Sequence, residues 1–259
     1  MTRITFVIPT FNRAQTIIRS LESIVNMGIS FEAIVVDDAS TDNTKEVVTK
    51  WINLKKFSKF ISYHPIKYNV GVTAAKNFGY HLSKNGWVVF LDSDDMMISQ
   101  KSTEFKNTLE QYNNLPLIFF RCVDQNGTKI GSEFKEDRFL NLDDYVNNSS
   151  YGEALTAINK DIVGLNFCYP GSLRGYEGIG CLRLIQNYGP ALLSNLYVRI
   201  YDQSGENRLS SKSGMLSRLS LLERGHRLLF LEFRIYLSWK NYLIYVFKII
   251  LYFFLKKWK

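Results

Sequence analysis

Asp92-Ser93-Asp94-Asp95 places three carboxylates within four residues, directly after the apolar run Trp87-Val88-Val89-Phe90-Leu91. Unpaired, such groups repel one another and raise each other's pKa values. A hard divalent cation resolves the repulsion, and Mg²⁺ commonly takes one or two carboxylates together with substrate phosphate oxygens. The same residues also read as a helix N-cap with surplus aspartates. Two further polar groups follow apolar runs: Thr10-Phe11-Asn12 after Ile4 to Pro9, and Asp37-Asp38 after Ala33 to Val36. Asp38 carries a double reading of its own, because aspartates often end strands and open turns.

Elements of alternating type must position these groups. Ala14, Ile17, Ile18, Leu21, Ile24 and Val25 recur at helical spacing, with Arg19, Glu22 and Ser23 on the other face and Gly28 beyond. Further helices are predicted from about Thr44 to Trp51 and Val72 to Ser83, with strands at Phe60 to His64 and Trp87 to Leu91. That β-α-β-α-β-α-β order predicts a mostly parallel sheet covered by helices on both faces. Ligands of such sheets bind outside the carboxyl ends of the strands, where all three polar groups fall. The second half is less regular. Leu117 to Val123 reads as a strand entering a hairpin turn at Asp124-Gln125-Asn126-Gly127, Leu142 to Asn147 as a short helix, Leu182 to Tyr188 as another helix and Leu196 to Tyr201 as a strand.

Four blocks then occur together: Ile8-Pro9-Thr10-Phe11-Asn12-Arg13, Val36-Asp37-Asp38-Ala39-Ser40-Thr41-Asp42, Asn69-Val70-Gly71-Val72-Thr73-Ala74-Ala75-Lys76-Asn77-Phe78-Gly79 and Phe90-Leu91-Asp92-Ser93-Asp94-Asp95. In order and spacing they resemble the family-2 inverting glycosyltransferases of the bacterial surface-polysaccharide type. The resemblance is strong over about the first hundred residues and weaker to about Ser210. It implies an α/β GT-A fold, a Rossmann-like nucleotide-binding mixed sheet flanked by helices. It also implies transfer of a hexosyl or N-acetylhexosaminyl group from a nucleoside-diphosphate sugar, UDP-linked by expectation. Pro9, Thr10, Phe11, Asn12 and Arg13 would wrap the base and ribose, and Asp38 would accept from a uracil or thymine imide N–H. Asn69, Gly71, Lys76 and Ser93 join the donor site. Asp94 would bind Mn²⁺ or Mg²⁺ directly, and Asp92 would lie against the ribose or reach the metal through water. The family usually has arginine where this chain has Lys76, so phosphate would meet a point charge and no bidentate fork.

Inversion needs a base to take the proton of the attacking hydroxyl. The resemblance implies an acidic residue near a helix start in the acceptor half, which points to Glu177 in Arg174-Gly175-Tyr176-Glu177-Gly178-Ile179-Gly180, with Glu153 in reserve. A glutamate there also stabilises a helix N-terminus through the macrodipole. The three histidines, His64, His81 and His226, are scattered and read as structural. The segment Tyr201 to Arg208 resembles the mobile loop that follows the acceptor half in this family.

Three cysteines, Cys122, Cys168 and Cys181, match no zinc spacing and argue for a reducing compartment. The opening apolar run is too short for a signal peptide, which argues against secretion. The net charge of +8 is uneven: from Arg208 onward 11 lysines and arginines face 2 acidic residues, and the remainder is nearly neutral. A neutral body with a basic, apolar tail fits an anionic membrane better than nucleic acid. Asn241 to Leu255, with Lys248 inside and Trp239 and Trp258 at its borders, fits an interfacial helix better than a spanning one. The organisation expected is a nucleotide-sugar half over residues 1–115, an acceptor half over 116–210 and a basic amphipathic tail over 211–259. The resemblance adds a polyprenyl-diphosphate-linked saccharide acceptor, a place on the cytoplasmic face of a bacterial inner membrane, and O-antigen or capsule assembly. A nucleotidyltransferase or a dehydrogenase would need a glycine-rich phosphate loop after the first strand, and Pro9 to Arg13 is not one. A nucleotide-binding scaffold without turnover is the non-enzymatic alternative.

Overall fold

A computed structural model describes residues 2–148, 151–203 and 218–256. Its centre is a nine-stranded sheet, ordered β3-β2-β1-β4-β8-β6-β9-β5, with β7 paired to β9. The strands are β1 Ile4–Thr10, β2 Glu32–Asp37, β3 Ile61–Pro65, β4 Trp87–Phe90, β5 Met96–Met97, β6 Leu117–Val123, β7 Arg138–Leu140, β8 Ala154–Asn159 and β9 Ala191–Ile200. The ladders among β1, β2, β3 and β4 are all parallel, as the first-half pattern predicts. Beyond β4 the sheet turns mixed. β8 runs antiparallel to both β4 and β6, β6 and β9 run parallel, and β5 and β7 run antiparallel to β9.

Nine described helices flank the sheet: α1 Ile17–Val25, α2 Thr44–Lys55, α3 Val72–Leu82, α4 Ser102–Gln111, α5 Leu142–Asn147, α6 Lys160–Val163, α7 Glu177–Tyr188, α8 Leu219–Phe233 and α9 Trp239–Leu255. Strand alternation divides the core into two layers. Phe6, Ile8, Val35 and Val89 pack with Ile17 and Leu21 of α1, Val48 of α2 and Phe105 of α4. Val7, Val36, Val88 and Phe90 face Ala75 and Tyr80 of α3 and Leu184 and Ile185 of α7. Every residue of β1 and β4 is buried, as strands covered on both faces require.

The last described segment forms a helical hairpin docked on α5 and α7. Phe233 of α8 joins Val146, Ile179 and Leu182 in a third apolar cluster. Asn147 at the end of α5 ties the hairpin down: its side chain donates to the Tyr236 carbonyl at 2.8 Å and accepts from the Ser238 N–H at 2.7 Å. Gly225 of α8 lies so close to the Tyr176 ring that a Cβ there would overlap it.

Candidate active site

The carboxyl end of β1 opens into a loop that is fastened to the loop after β2. Asn12 adopts a left-handed φ of 53°, which asparagine tolerates better than most residues. Its Oδ1 accepts from the N–H of Thr41 at 2.8 Å, and its own N–H donates to Ser40 Oγ at 2.9 Å. Arg13 N–H donates to Thr44 Oγ1 at 2.9 Å. Pro9 and Thr10 are buried in β1, whereas Phe11, Asn12 and Arg13 are exposed. Asn12 therefore spends its side chain on joining two loops, while Phe11 and Arg13 stay open to solvent.

Asp38 is buried, and its two oxygens accept from the backbone N–H groups of Val70 at 2.7 Å and Gly71 at 2.8 Å. Burial raises its pKa, and these two hydrogen bonds oppose the rise. Asn69 Nδ2 donates to the Asp38 carbonyl at 3.1 Å. Gly71 has φ +89°, a conformation that favours glycine, and from it α3 begins. Asp38 thus anchors the start of the helix that carries Lys76.

Lys76 lies between two acidic residues from distant parts of the chain. Its ammonium lies 3.0 Å from Asp92 Oδ1 and 3.9 Å from Glu177 Oε1. Burial alone would lower its pKa, but the Asp92 and Glu177 charges outweigh burial and keep it protonated. Asp92 shows the mirror-image balance: burial would raise it, and Lys76 and Arg199 hold it below the ordinary carboxylate value. Glu177 is the first residue of α7, as expected. One side chain therefore connects the end of β4 to the amino end of α7.

Asp94 lies on the other side of Asp92. Arg13 Nη2 approaches its Oδ2 at 3.4 Å, while burial and repulsion from Asp92 raise its pKa. Ser93, between them, is buried. Asp95 is fully buried against Arg199 Nη1 at 3.1 Å, and its Oδ1 accepts from the Asp202 N–H at 2.9 Å. Arg19 Nη2 donates both to the Asp94 carbonyl at 2.8 Å and to Asp202 Oδ2 at 2.7 Å. These ties fix the acidic strand end from three directions. Sequence reading placed Arg19 on the polar face of its helix and assigned Arg199 and Asp202 no role, because their partners lie 75 or more residues away in the chain.

The structure brings Arg13, Lys76, Asp92, Asp94 and Glu177 to one rim, with Asp38 behind the loop that starts α3. Glu153 instead lies 3.7 Å from Arg199 and is more than half exposed. Among the described residues no group of three or more His, Cys, Asp or Glu is gathered to hold a metal. The half-buried carboxylates of Asp92 and Asp94 supply a hard-oxygen donor set that suits a divalent cation sharing substrate phosphate oxygens. His226 packs among the tyrosines of the hairpin seam and meets the Tyr176 hydroxyl at 2.5 Å. The loop expected from Tyr201 to Arg208 lies outside the described residues beyond Gln203.

Comparison with known proteins gives the same reading. The profile of Glycosyl transferase family 2 matches residues 5–164. The GalNAc(5)-diNAcBac-PP-undecaprenol beta-1,3-glucosyltransferase of Campylobacter jejuni is 29% identical over 171 residues, 63% of this chain and 53% of that relative. The chain spans about half the length of the curated relatives it matches first. The structure of S. aureus TarS 1-349 in complex with UDP-GlcNAc superposes with a TM-score of 0.69 at 16% identity, covering 88% of this chain and 66% of that one. The mannosyltransferase PcManGT from Pyrobaculum calidifontis, in complex with GDP-Man and Mn²⁺, gives 0.63 at 16% identity, covering 87% and 63%. These likenesses establish the GT-A fold. With the match spanning the strand ends that carry Asp38, Asp92 and Asp94 and the helix that carries Lys76, the chain belongs to glycosyl transferase family 2.

Proposed function

We propose that this protein moves a sugar from a nucleoside-diphosphate sugar, UDP-linked, to a saccharide acceptor with inversion at the sugar C1. The observation that carries the reading is Lys76, whose ammonium faces Asp92 and Glu177 together. A donor diphosphate at the β4 end and an acceptor hydroxyl at the start of α7 would then meet across one cation.

Glu177 takes the proton from the acceptor hydroxyl as its oxygen bonds to C1. The C1–O bond to phosphate breaks, and its electron pair leaves with the nucleoside diphosphate. Lys76 neutralises charge on that leaving group as a point cation. Asp94, helped by Asp92, would hold a divalent cation, which when bound supplies Lewis-acid stabilisation of the departing diphosphate. The Pro9 to Arg13 loop and Asp38 would hold the nucleotide end; both Asp38 oxygens already accept from Val70 and Gly71, so a base N–H would share one of them. Asn69, Gly71 and Ser93 shape the backbone around the phosphates.

The acceptor is read as a saccharide on polyprenyl diphosphate, a reading supported by the undecaprenol-linked acceptor in the name of the Campylobacter jejuni relative. The setting would be the membrane surface in bacterial polysaccharide assembly, O-antigen or capsule, on the cytoplasmic face. A stripe on α9 supports that placement. Trp239, Leu243, Phe247, Ile250 and Phe254 recur every three or four residues, each 50% to 70% exposed. No described helix is long and apolar enough to cross a membrane. An interfacial helix with lysines nearby matches this surface, and residues 211–217 and 257–259 of the expected tail lie outside the described residues.

A screen of nucleotide sugars for slow hydrolysis, with Mn²⁺ or Mg²⁺ present, tests the reading directly. Glu177→Gln is expected to lower transfer by about 10²-fold or more while donor binding persists. Unchanged turnover in that variant would move the base to Glu153.

A further inference from the structure

A cavity of about 430 Å³ lies at the seam where the helical hairpin meets α5 and α7. Its wall on the catalytic side includes Gly178, the residue after Glu177, together with Tyr145 and Tyr151; its hairpin wall includes Asn241, Ile244 and Lys248. Lys248 is the sole charged residue among those lining it. The lysine breaks the apolar run from Tyr242 to Leu255 and is half-buried. No described carboxylate pairs with it, in contrast to Lys256 just past the end of α9, which pairs with Glu223. Its ammonium lies 6.0 Å from the centre of the Tyr245 ring, a weak cation–π contact, and an anion in the cavity would give it a full counter-charge. Phenols and amides around it are hydrogen-bonding groups suited to sugar hydroxyls or phosphate oxygens.

The cavity also has a fixed position relative to two other surfaces. One side of α9 faces it, and another carries the exposed apolar stripe. An amphiphile lying along the stripe could turn its charged end past Lys248 and reach Gly178 beside the base.

We infer that this seam is an acceptor subsite that takes the phosphate of a lipid-linked saccharide, with Lys248 as its anion-binding residue. The inference rests on the transferase reading above and deepens it by naming how the acceptor's anionic end is held. Sugar hydroxyls continue from the seam toward Glu177, while the prenyl chain stays with the apolar stripe.

Isothermal titration of the full chain tests it, with UDP at saturation so that the donor site is taken. Farnesyl diphosphate is the probe, with farnesol and inorganic pyrophosphate as separate arms. The wild type is expected to bind farnesyl diphosphate, Lys248→Gln to bind it about tenfold more weakly, and Lys248→Arg to retain it; helical circular dichroism of each variant checks folding. Equal affinity of Lys248→Gln and wild type overturns the assignment, as does equal binding of farnesol. Pyrophosphate bound as tightly as farnesyl diphosphate would overturn the lipid as the source of the anion. Because the titration needs no turnover, these outcomes are separate from failure of the transferase reading, which shows as no hydrolysis of any nucleotide sugar by the wild type.

Discussion

Asp94 and Asp92 are neighbours with opposite electrostatic settings. Asp92 is held ionised by Lys76, whereas burial and the Asp92 charge raise Asp94. A bound cation would relieve Asp94 most, so Asp94→Ala is expected to abolish the Mn²⁺-dependent part of UDP-sugar binding. Titration with and without EDTA measures this, and retained metal dependence would remove Asp94 as the ligand. His226 offers a separate test of the hairpin seam. Its ring lies among Tyr176, Tyr245 and Tyr252, and burial lowers its pKa, with a smaller contribution from Lys248 on α9 and opposition from the Leu222 carbonyl. The unfolded chain therefore binds this proton more readily than the folded one, and stability falls as pH drops through the unfolded value of about 6.5. Melting temperatures from pH 8 to pH 5 should decline in the wild type, and His226→Phe should flatten part of that slope.

The helix α7 presents Glu177 because its first turn is pressed between α5 and α8. Tyr176, just before it, donates to the Leu222 carbonyl at 3.0 Å and packs against Gly225. Gly225→Ala would add a Cβ inside the Tyr176 ring, so either the hairpin or the start of α7 must shift. Transfer is expected to fall at least about tenfold, since small misplacements of catalytic groups are costly, and the melting temperature should fall with it. Unaltered kinetics would show that the base is positioned independently of the hairpin. The elements from β1 through β4 were legible in the sequence to within a few residues, because apolar runs ending in aspartates and helical apolar spacing mark them, whereas α4, Ser102–Gln111, with only Phe105 and Leu109 buried, was not anticipated. Leu117–Val123 and Leu142–Asn147 match the expected spans in full. Ala154–Asn159 and the two-residue Met96–Met97 carry little periodicity of their own and are set by pairing with distant strands. The tail was read as one interfacial helix, whereas Leu219–Phe233 forms a second that supplies the docking contacts. Glu177 was reached through family likeness, and the Lys76 link that ties it to Asp92 exists only in three dimensions.

At the scale of the whole chain, one sheet runs through strands β1 to β9 and the hairpin covers α5 and α7. The outward stripe of α9 predicts that the full-length protein pellets with phosphatidylglycerol vesicles. A combined Trp239→Ser, Phe247→Ser and Phe254→Ser variant should remain largely in the supernatant, and recovery of the wild type there at low salt would contradict membrane attachment. The Gly225–Tyr176 contact has a further consequence for how such a chain can change over generations. Positions 225 and 176 lie 49 residues apart in the numbering yet share a single small volume. A larger side chain at one is tolerated only with a smaller one at the other, so randomised libraries should recover the two as compensating pairs, with single replacements at either site depleted.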